Sequence, residues 1–341
     1  MTSSKTLQEV LSSKQNSKSW VEKYRPKTIT DVQHQDTIIS SINTFVRLKN
    51  IPHFLFYGSP GTGKTSTILA LITALKQTKC LDSVLELNAS SERGINVVRG
   101  KIKNFAQQSC EGDKIKFIIL DEADTMTTDA QTALRRCMEQ YSKHTRFCLI
   151  CNFVSKIIDP IISRCMIYRF KPIPTFNMVS HLETIVKKEQ FDISLSDLNS
   201  IVNFSNGDMR KAINSLEMAY YFMTDDNGLD VVINHIPEVI IVQIWKTIIS
   251  GSYTNLDQLL LSLINHGYDC RSLLQSIVDS SMKINLSDDN LATILLQISI
   301  SENALIRGSS EYVELLNILQ SLFNIKEKKQ IINFISEHES N

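Results

Sequence analysis

No apolar stretch in this 341-residue chain reaches the ~18 residues that a membrane-spanning helix needs. The N-terminus lacks the apolar centre of a secretory signal. Residues 1–19 are instead rich in Ser, Lys and Gln, the composition of a disordered tail. Cysteine is scattered and odd in number, seven in all, which argues against a disulfide framework. The one close pair, Cys148 and Cys151, lies inside an apolar run at 147–151, with no second pair and no histidines at ligand spacing. Buried strand cysteines in a reducing compartment are expected there, and not a zinc or redox site. The seven histidines form no H-x-x-x-H or Cys/His cluster, so no metal is expected beyond Mg²⁺. There is no internal repeat and no low-complexity tract beyond the tail.

What remains is ordinary soluble composition, 43% hydrophobic and 21% charged, in a chain long enough for two or three domains. Net charge is zero, yet the halves differ. Residues 1–171 hold 25 Lys+Arg and 15 Asp+Glu, net +10, while residues 172–341 hold 11 and 21, net −10. Such asymmetry fits a nucleic-acid-facing half or an inconsequential solvated surface, and charge alone does not separate the two.

The most informative motif is Gly58-Ser59-Pro60-Gly61-Thr62-Gly63-Lys64-Thr65, a complete phosphate-binding loop. An apolar strand-like run ending at Tyr57 precedes it, and a helical stretch beginning at Ser66 follows. In that context backbone N–H groups at a helix N-terminus face a phosphate, and the glycines permit close approach. Lys64 is expected to reach the β- and γ-phosphates and the Thr65 hydroxyl to hold Mg²⁺. Between residues 51 and 170, strand-like runs at 54–57, 84–87, 117–120, 147–151 and 166–170 alternate with helical segments, among them 94–108 and 130–141. That alternation builds an α/β domain with a parallel sheet flanked by helices.

The run 117–120 ends in Asp121-Glu122, the second half of a P-loop ATP site. Asp121 would hold Mg²⁺, and Glu122 would polarise the attacking water. Asn152, at the tip of the next strand, would stand beside the γ-phosphate. The break at Lys171-Pro172-Ile173-Pro174 marks a domain boundary. Three helices are expected over 176–190, 195–204 and 209–223, then a polar turn at 225–228, then further helices in which Leu256, Leu259, Leu260, Leu263 and Ile264 share a face. The expected division is a tail at 1–19, a nucleotide-binding domain at 20–171, a small helical lid at 172–230 and an all-α domain at 231–341.

Several segments together resemble the small subunits of eukaryotic replication factor C, AAA+ ATPases of the clamp-loader family. They are Trp20-Val21-Glu22-Lys23-Tyr24-Arg25-Pro26, Leu85 to Gly94, Asp121-Glu122-Ala123-Asp124, Ala133 to Glu139, Ser163-Arg164-Cys165 and Gly207-Asp208-Met209-Arg210-Lys211-Ala212. The resemblance implies that Val21, Tyr24, Arg25 and Pro26 lie against the nucleotide. Tyr57 to Ser66 would cradle its phosphates. Asn152 and Arg210 would act as the first and second sensors. Arg164 would serve as an arginine finger acting in trans on a neighbouring subunit, a role that contributes on the order of 10³–10⁵ in rate. Ser59 stands where the family commonly has Pro, and Ser91 where it has Asp. The implied cofactors are ATP and Mg²⁺. The implied partners are the other subunits of a heteropentamer, the sliding clamp (proliferating cell nuclear antigen) and primer–template DNA, in the nucleus and with no membrane. The last helices would form the collar that holds the subunits together.

Arg99 and Lys103 lie four apart on an expected helix, with Arg93 at its start and Lys101 beside them; Lys156 is a weaker addition. A basic stripe without interleaved aromatics suits sequence-independent phosphate tracking. The function that the resemblance implies is ATP-driven opening and loading of a sliding clamp in DNA replication and repair. A nucleotide-binding structural subunit with little turnover, and a different AAA+ machine such as a branch-migration motor, stay open as alternatives.

Overall fold

The computed structural model describes residues 19–31, 35–91, 94, 96, 98–110, 112, 114–222, 236–251, 253–265, 267–284, 286–323 and 328–339. The expected tail and the lid boundary at 230 fall almost wholly outside these residues. The chain forms two compact units that divide between Tyr220 and Tyr221.

The first unit opens with a helical turn, α1 (Trp20–Lys23), and α2 (Asp36–Leu48). Five strands follow: β1 (Phe54–Gly58), β2 (Leu81–Asn88), β3 (Ile115–Asp121), β4 (Thr145–Cys151) and β5 (Met166–Phe170). They form one parallel sheet in the order β2-β3-β4-β1-β5. Helices α3 (Lys64–Gln77), α4 (Lys103–Gln107), α5 (Thr128–Tyr141) and the short α6 (Asp159–Ile162) lie between the strands. Each strand alternates its side chains between the two faces. Phe54, Phe56, Phe117 and Ile119 pack with α2 and α3 on one face. Leu55, Ile118, Leu120, Phe147 and Leu149 pack on the other with Val98, Ile102, Ala106 and the α5 residues Leu134 and Met138. Burial on both faces explains why these strands read as continuous apolar runs. Cys148 and Cys151 are both buried in β4, and burial pushes the Cys151 thiol up to about 12.

Within the helical stretch expected over 94–108, Val98–Ile102 is a π-helical segment that leads into α4. The wider turn keeps Val98 and Ile102 in the core while Arg99 and Lys101 stay exposed. After β5, three helices α7 (Thr175–Glu189), α8 (Leu195–Ser205) and α9 (Met209–Phe222) form a small bundle. The Ser194 hydroxyl caps α8 by accepting from Asp197 N at 3.1 Å, and Asp208 Oδ1 caps α9 by accepting from Arg210 N and Lys211 N at 2.9 and 3.1 Å.

The second unit contains α10 (Glu238–Ser250), α11 (Tyr253–Asn265), α12 (Cys270–Lys283), α13 (Asp288–Ile306), α14 (Glu311–Phe323) and α15 (Lys328–Glu339). Its core gathers around the fully buried Trp245, whose indole N–H donates to Ser280 Oγ at 3.0 Å. Leu256, Leu259, Leu260 and Leu263 are buried there as one face, and Ile264 is half-buried at its margin.

His53, just ahead of β1, ties two strands together: Nδ1 accepts from Phe147 N at 3.1 Å, and its carbonyl accepts from Met166 N at 2.8 Å. Burial, with repulsion from Arg146, pushes the imidazole down from 6.5 to about 4. A depressed folded value means that the stabilisation is complete above pH 6.5 and is lost as pH falls toward 4, about 3 kcal/mol in all. His53→Gln should remove this acid-sensitive portion, measured as a flatter dependence of the urea midpoint between pH 7 and pH 4.

Candidate active site

Parallel sheets bind ligands at the carboxyl ends of strands where strand order reverses. Here the reversal lies between β1 and β4, because the chain leaves β1 for the far edge at β2 and returns through β3 and β4. The phosphate loop follows β1, Asn152 follows β4 and Asp121 ends β3. All three meet at one cleft.

Gly63, at φ +93°, caps α3 in a conformation that glycine adopts without strain. Gly61, at φ +67°, is fixed by a close approach: a Cβ there would lie 1.6 Å from Asp208 Oδ1. Met209 N donates to Gly61 O at 3.3 Å, so the loop touches the cap of α9 directly. Lys64 is buried, and its Nζ donates to Gly58 O and Ser59 O, each at 2.8 Å, and to Asn152 Oδ1 at 3.0 Å. Burial lowers its pKa, and repulsion from Arg210 acts in the same direction against the attraction of Asp121. A phosphate in the cleft offers this cation a better partner than three neutral oxygens.

Thr65 Oγ1 donates to Asp121 Oδ2 at 3.0 Å, which brings the two expected Mg²⁺ donors together. No group of three or more His, Cys, Asp or Glu side chains is placed to hold a metal among the described residues. One hydroxyl and one carboxylate fit Mg²⁺, which keeps several waters and takes its other oxygens from phosphates. Glu122 follows at φ +54°, a left-handed conformation that costs a non-glycine residue on the order of 1 kcal/mol. Its N–H donates to Asp121 Oδ1 at 2.9 Å, and its Oε1 accepts from Asn88 Nδ2 at 3.4 Å.

The opposite wall comes from α1 and the segment after it, including Val21, Tyr24, Arg25 and Pro26, and from the three-helix bundle, including Arg210. The α1 segment is tied to that bundle. Tyr24 Oη and Lys23 Nζ both donate to Glu189 Oε1, at 2.6 and 2.5 Å. Trp20 N donates to Glu217 Oε2 at 3.0 Å, and the buried Trp20 ring packs 5.2 Å from that of Tyr220.

Pro60 to Ser66, Asp121, Glu122, Asn152 and Arg210 thus share one cleft with the α1 segment. Tyr57, Gly58 and Ser59 do not line the cleft; the last two take part through the carbonyls that hold Lys64. Arg164 is not in the cleft. Its Nη2 is ion-paired with Glu139 Oε1 at 2.5 Å and its Nη1 donates to Pro160 O at 2.6 Å. Arg99, Lys101, Lys103 and Lys156 are all exposed, and the Lys156 ammonium lies 5.3 Å from the Phe153 ring centre. Arg93 lies outside the described residues.

The cleft wall also includes Ile173, His181 and Met209, which the sequence reading did not assign to the site. Two positioning side chains were missed as well. Asp124 Oδ2 accepts from Asn152 N and Phe153 N, at 3.3 and 3.2 Å, and so fixes the tip of β4. Gln131, buried in α5, donates to Met126 O and Lys156 O and accepts from Ile158 N. Asp124 was visible within the acidic motif; Gln131 carried no local signal.

Comparison with known proteins decides the family. Residues 54–173 match the ATPase family associated with various cellular activities (AAA). Residues 180–221 match the RCF1/5-like AAA+ ATPase lid domain, and residues 236–321 match the replication factor C C-terminal domain. Replication factor C subunit 2 of Schizosaccharomyces pombe is 41% identical over 319 residues, covering 89% of this chain and 93% of the relative. The chain belongs to the replication factor C family. Replication factor C subunit 4 of Homo sapiens is also 41% identical, over 88% of this chain and 86% of its own length. The replication factor C small subunit of Archaeoglobus fulgidus is 39% identical over 92% of this chain and all of its own. A solved structure of a threonine-to-valine variant of Thermotoga maritima RuvB overlaps 70% of this chain and 85% of its own at a TM-score of 0.50. With 17% identity, that likeness speaks for the fold alone. As a replication factor C family member with this cleft, the chain is a nucleotide-binding AAA+ ATP hydrolase of the clamp-loader type.

If α1 presents the nucleotide wall, then Tyr24→Phe and Glu189→Gln should each weaken nucleotide binding roughly five-fold, about 1 kcal/mol for a partly exposed charge-assisted hydrogen bond. Fluorescent-nucleotide titration checks this, and unchanged affinity in both variants removes the tether from recognition.

Proposed function

We propose that this chain is an ATP-hydrolysing small subunit of a heteropentameric replication factor C clamp loader. It acts in the nucleus with Mg²⁺, the sliding clamp and primer–template DNA. In this reading the chain divides into the nucleotide-binding domain at 20–171, the lid at 172–230 and the collar at 231–341. One observation carries it above the others. The cleft gathers Lys64, Thr65, Asp121, Glu122, Asn152 and Arg210, while Arg164 sits outside with its guanidinium on the surface. A site that keeps its second arginine elsewhere is suited to completion by another chain.

Chemistry follows from the residues. Lys64 exchanges loop carbonyls for phosphate oxygens. Thr65 and Asp121 hold Mg²⁺, which when bound draws charge from the β- and γ-phosphate oxygens. Glu122 orients the attacking water and accepts its proton. Asn152 positions that water or the γ-phosphate, and Arg210 reports the phosphate to the three-helix bundle. Because α1 is tied to that bundle, base and γ-phosphate both set the lid angle, and ATP acts as a switch between two conformations. Arg164 leaves Glu139 for the triphosphate of the adjoining subunit. Arg99, Lys101, Lys103 and Lys156, with Arg93, track the DNA backbone without reading bases.

Glu122→Gln in the assembled complex should lower the ATPase contribution of this site by on the order of 10²-fold or more with nucleotide affinity retained. An unaltered rate would instead favour a structural subunit that binds nucleotide with little turnover. Arg99→Ala with Lys103→Ala should weaken primer–template binding and reduce the slope of log affinity against log salt by roughly one unit per lost contact. A constant slope rejects the DNA stripe.

A further inference from the structure

Lys116 lies near the start of β3, in register with Ser83 of β2 and Thr145 of β4, and is only 1% exposed. Its side chain belongs to the same strand face as Ile118 and Leu120, the face covered by Val98, Ile102 and Ala106. The ammonium donates to Phe105 O at 3.0 Å and to Gln108 O, and lies 5.4 Å from the Phe105 ring centre. These carbonyls close the C-terminal end of the basic helix, where the backbone dipole favours a cation. Burying an ammonium is costly, and an apolar side chain of similar length would fill the space without that cost. What the charge adds is a polar link between one helix end and one strand. The opposite end of β3 carries Asp121 and Glu122. A second link holds the same helix end: Gln107 Nε2 donates to Tyr141 Oη at 3.0 Å.

We propose that Lys116 is a positioning residue that couples the basic segment 98–107 to the hydrolytic end of β3. Val98, Ile102 and Ala106 key the segment onto Ile118 and Leu120, and Lys116 fixes its register along the strand. A phosphate backbone that pulls on Arg99 and Lys103 therefore displaces β3 together with the helix, and Glu122 moves relative to the bound triphosphate. The inference rests on the reading of 98–107 as the DNA-facing helix, and its signature is separate from that reading. Losing a phosphate contact weakens DNA binding, whereas losing the coupling leaves binding intact and removes its effect on turnover.

The test uses the assembled complex with Lys116→Met and, as a milder variant, Tyr141→Phe. Turnover is measured with and without primer–template DNA, and DNA affinity is measured across a salt series. The expected result for Lys116→Met is a fall of about five-fold or more in the ratio of DNA-stimulated to DNA-free turnover, with DNA affinity and salt slope within about two-fold. Tyr141→Phe should move the ratio in the same direction by less. An unchanged ratio in Lys116→Met overturns the proposal. So does a proportionate loss of DNA affinity, which would make Lys116 a structural support of the binding surface. Should Lys116→Met fail to assemble, an unchanged ratio in Tyr141→Phe overturns it. A constant salt slope in Arg99→Ala with Lys103→Ala would reject the DNA stripe and with it the pull on this segment, whereas a reduced slope there with an unchanged ratio in Lys116→Met rejects the coupling alone.

Discussion

The site is organised around one buried positive charge. Lys64 sits inside the protein, lowered in pKa by burial, and among the described residues its ammonium donates to the Gly58 and Ser59 carbonyls and the Asn152 amide oxygen. Neutral oxygens stabilise an ammonium less well than a phosphate does, so the cleft is poised for an anion. Each neighbouring element answers to that charge. β1 and α3 supply the loop, β4 brings Asn152, and β3 brings Asp121 within hydrogen-bond reach of Thr65. The bundle helix α9 approaches through Asp208, which fills the space that a side chain at Gly61 would need.

The second constraint is that one wall of the cleft does not belong to the sheet. Trp20, Lys23 and Tyr24 are tied to Glu189, Glu217 and Tyr220 of the helical bundle. In the proposed reading a nucleotide spans both parts, with its phosphates at the sheet and its base at the bundle side, and the angle between them is the variable that ligand chemistry controls. Arg210 adds a cation on the same side of the cleft, and its repulsion helps to lower the Lys64 pKa.

Much of this was legible in sequence because it is local. The five apolar runs became the five strands, since a strand buried on both faces needs no polar alternation. The phosphate loop was readable because Gly61 and Gly63 mark left-handed backbone at fixed spacing from Lys64 and Thr65. The helical stretch over 94–108 was legible but its inner geometry was not: apolar spacing is compatible with both α and π turns, and Val98–Ile102 takes the wider one while packing in one cluster with Ile118 and Leu120. Lys116 escaped notice because a lysine at a strand entry reads as solvent-facing. Its burial depends on two carbonyls that are close in space and belong to a different element.

Sequence alone determined the nucleotide chemistry, the parallel sheet and the family, because each rests on residue types at short, fixed separations whose backbone geometry follows from sterics and hydrogen bonding. Tertiary structure alone decided which parts meet. It put Glu189 under Tyr24, moved Arg164 onto Glu139 and out of the cleft, and buried Lys116 against the end of the basic helix. Those contacts join residues up to 165 positions apart. Their pairing is set by how the elements pack and by the cost of leaving buried polar groups without partners, which no local pattern encodes.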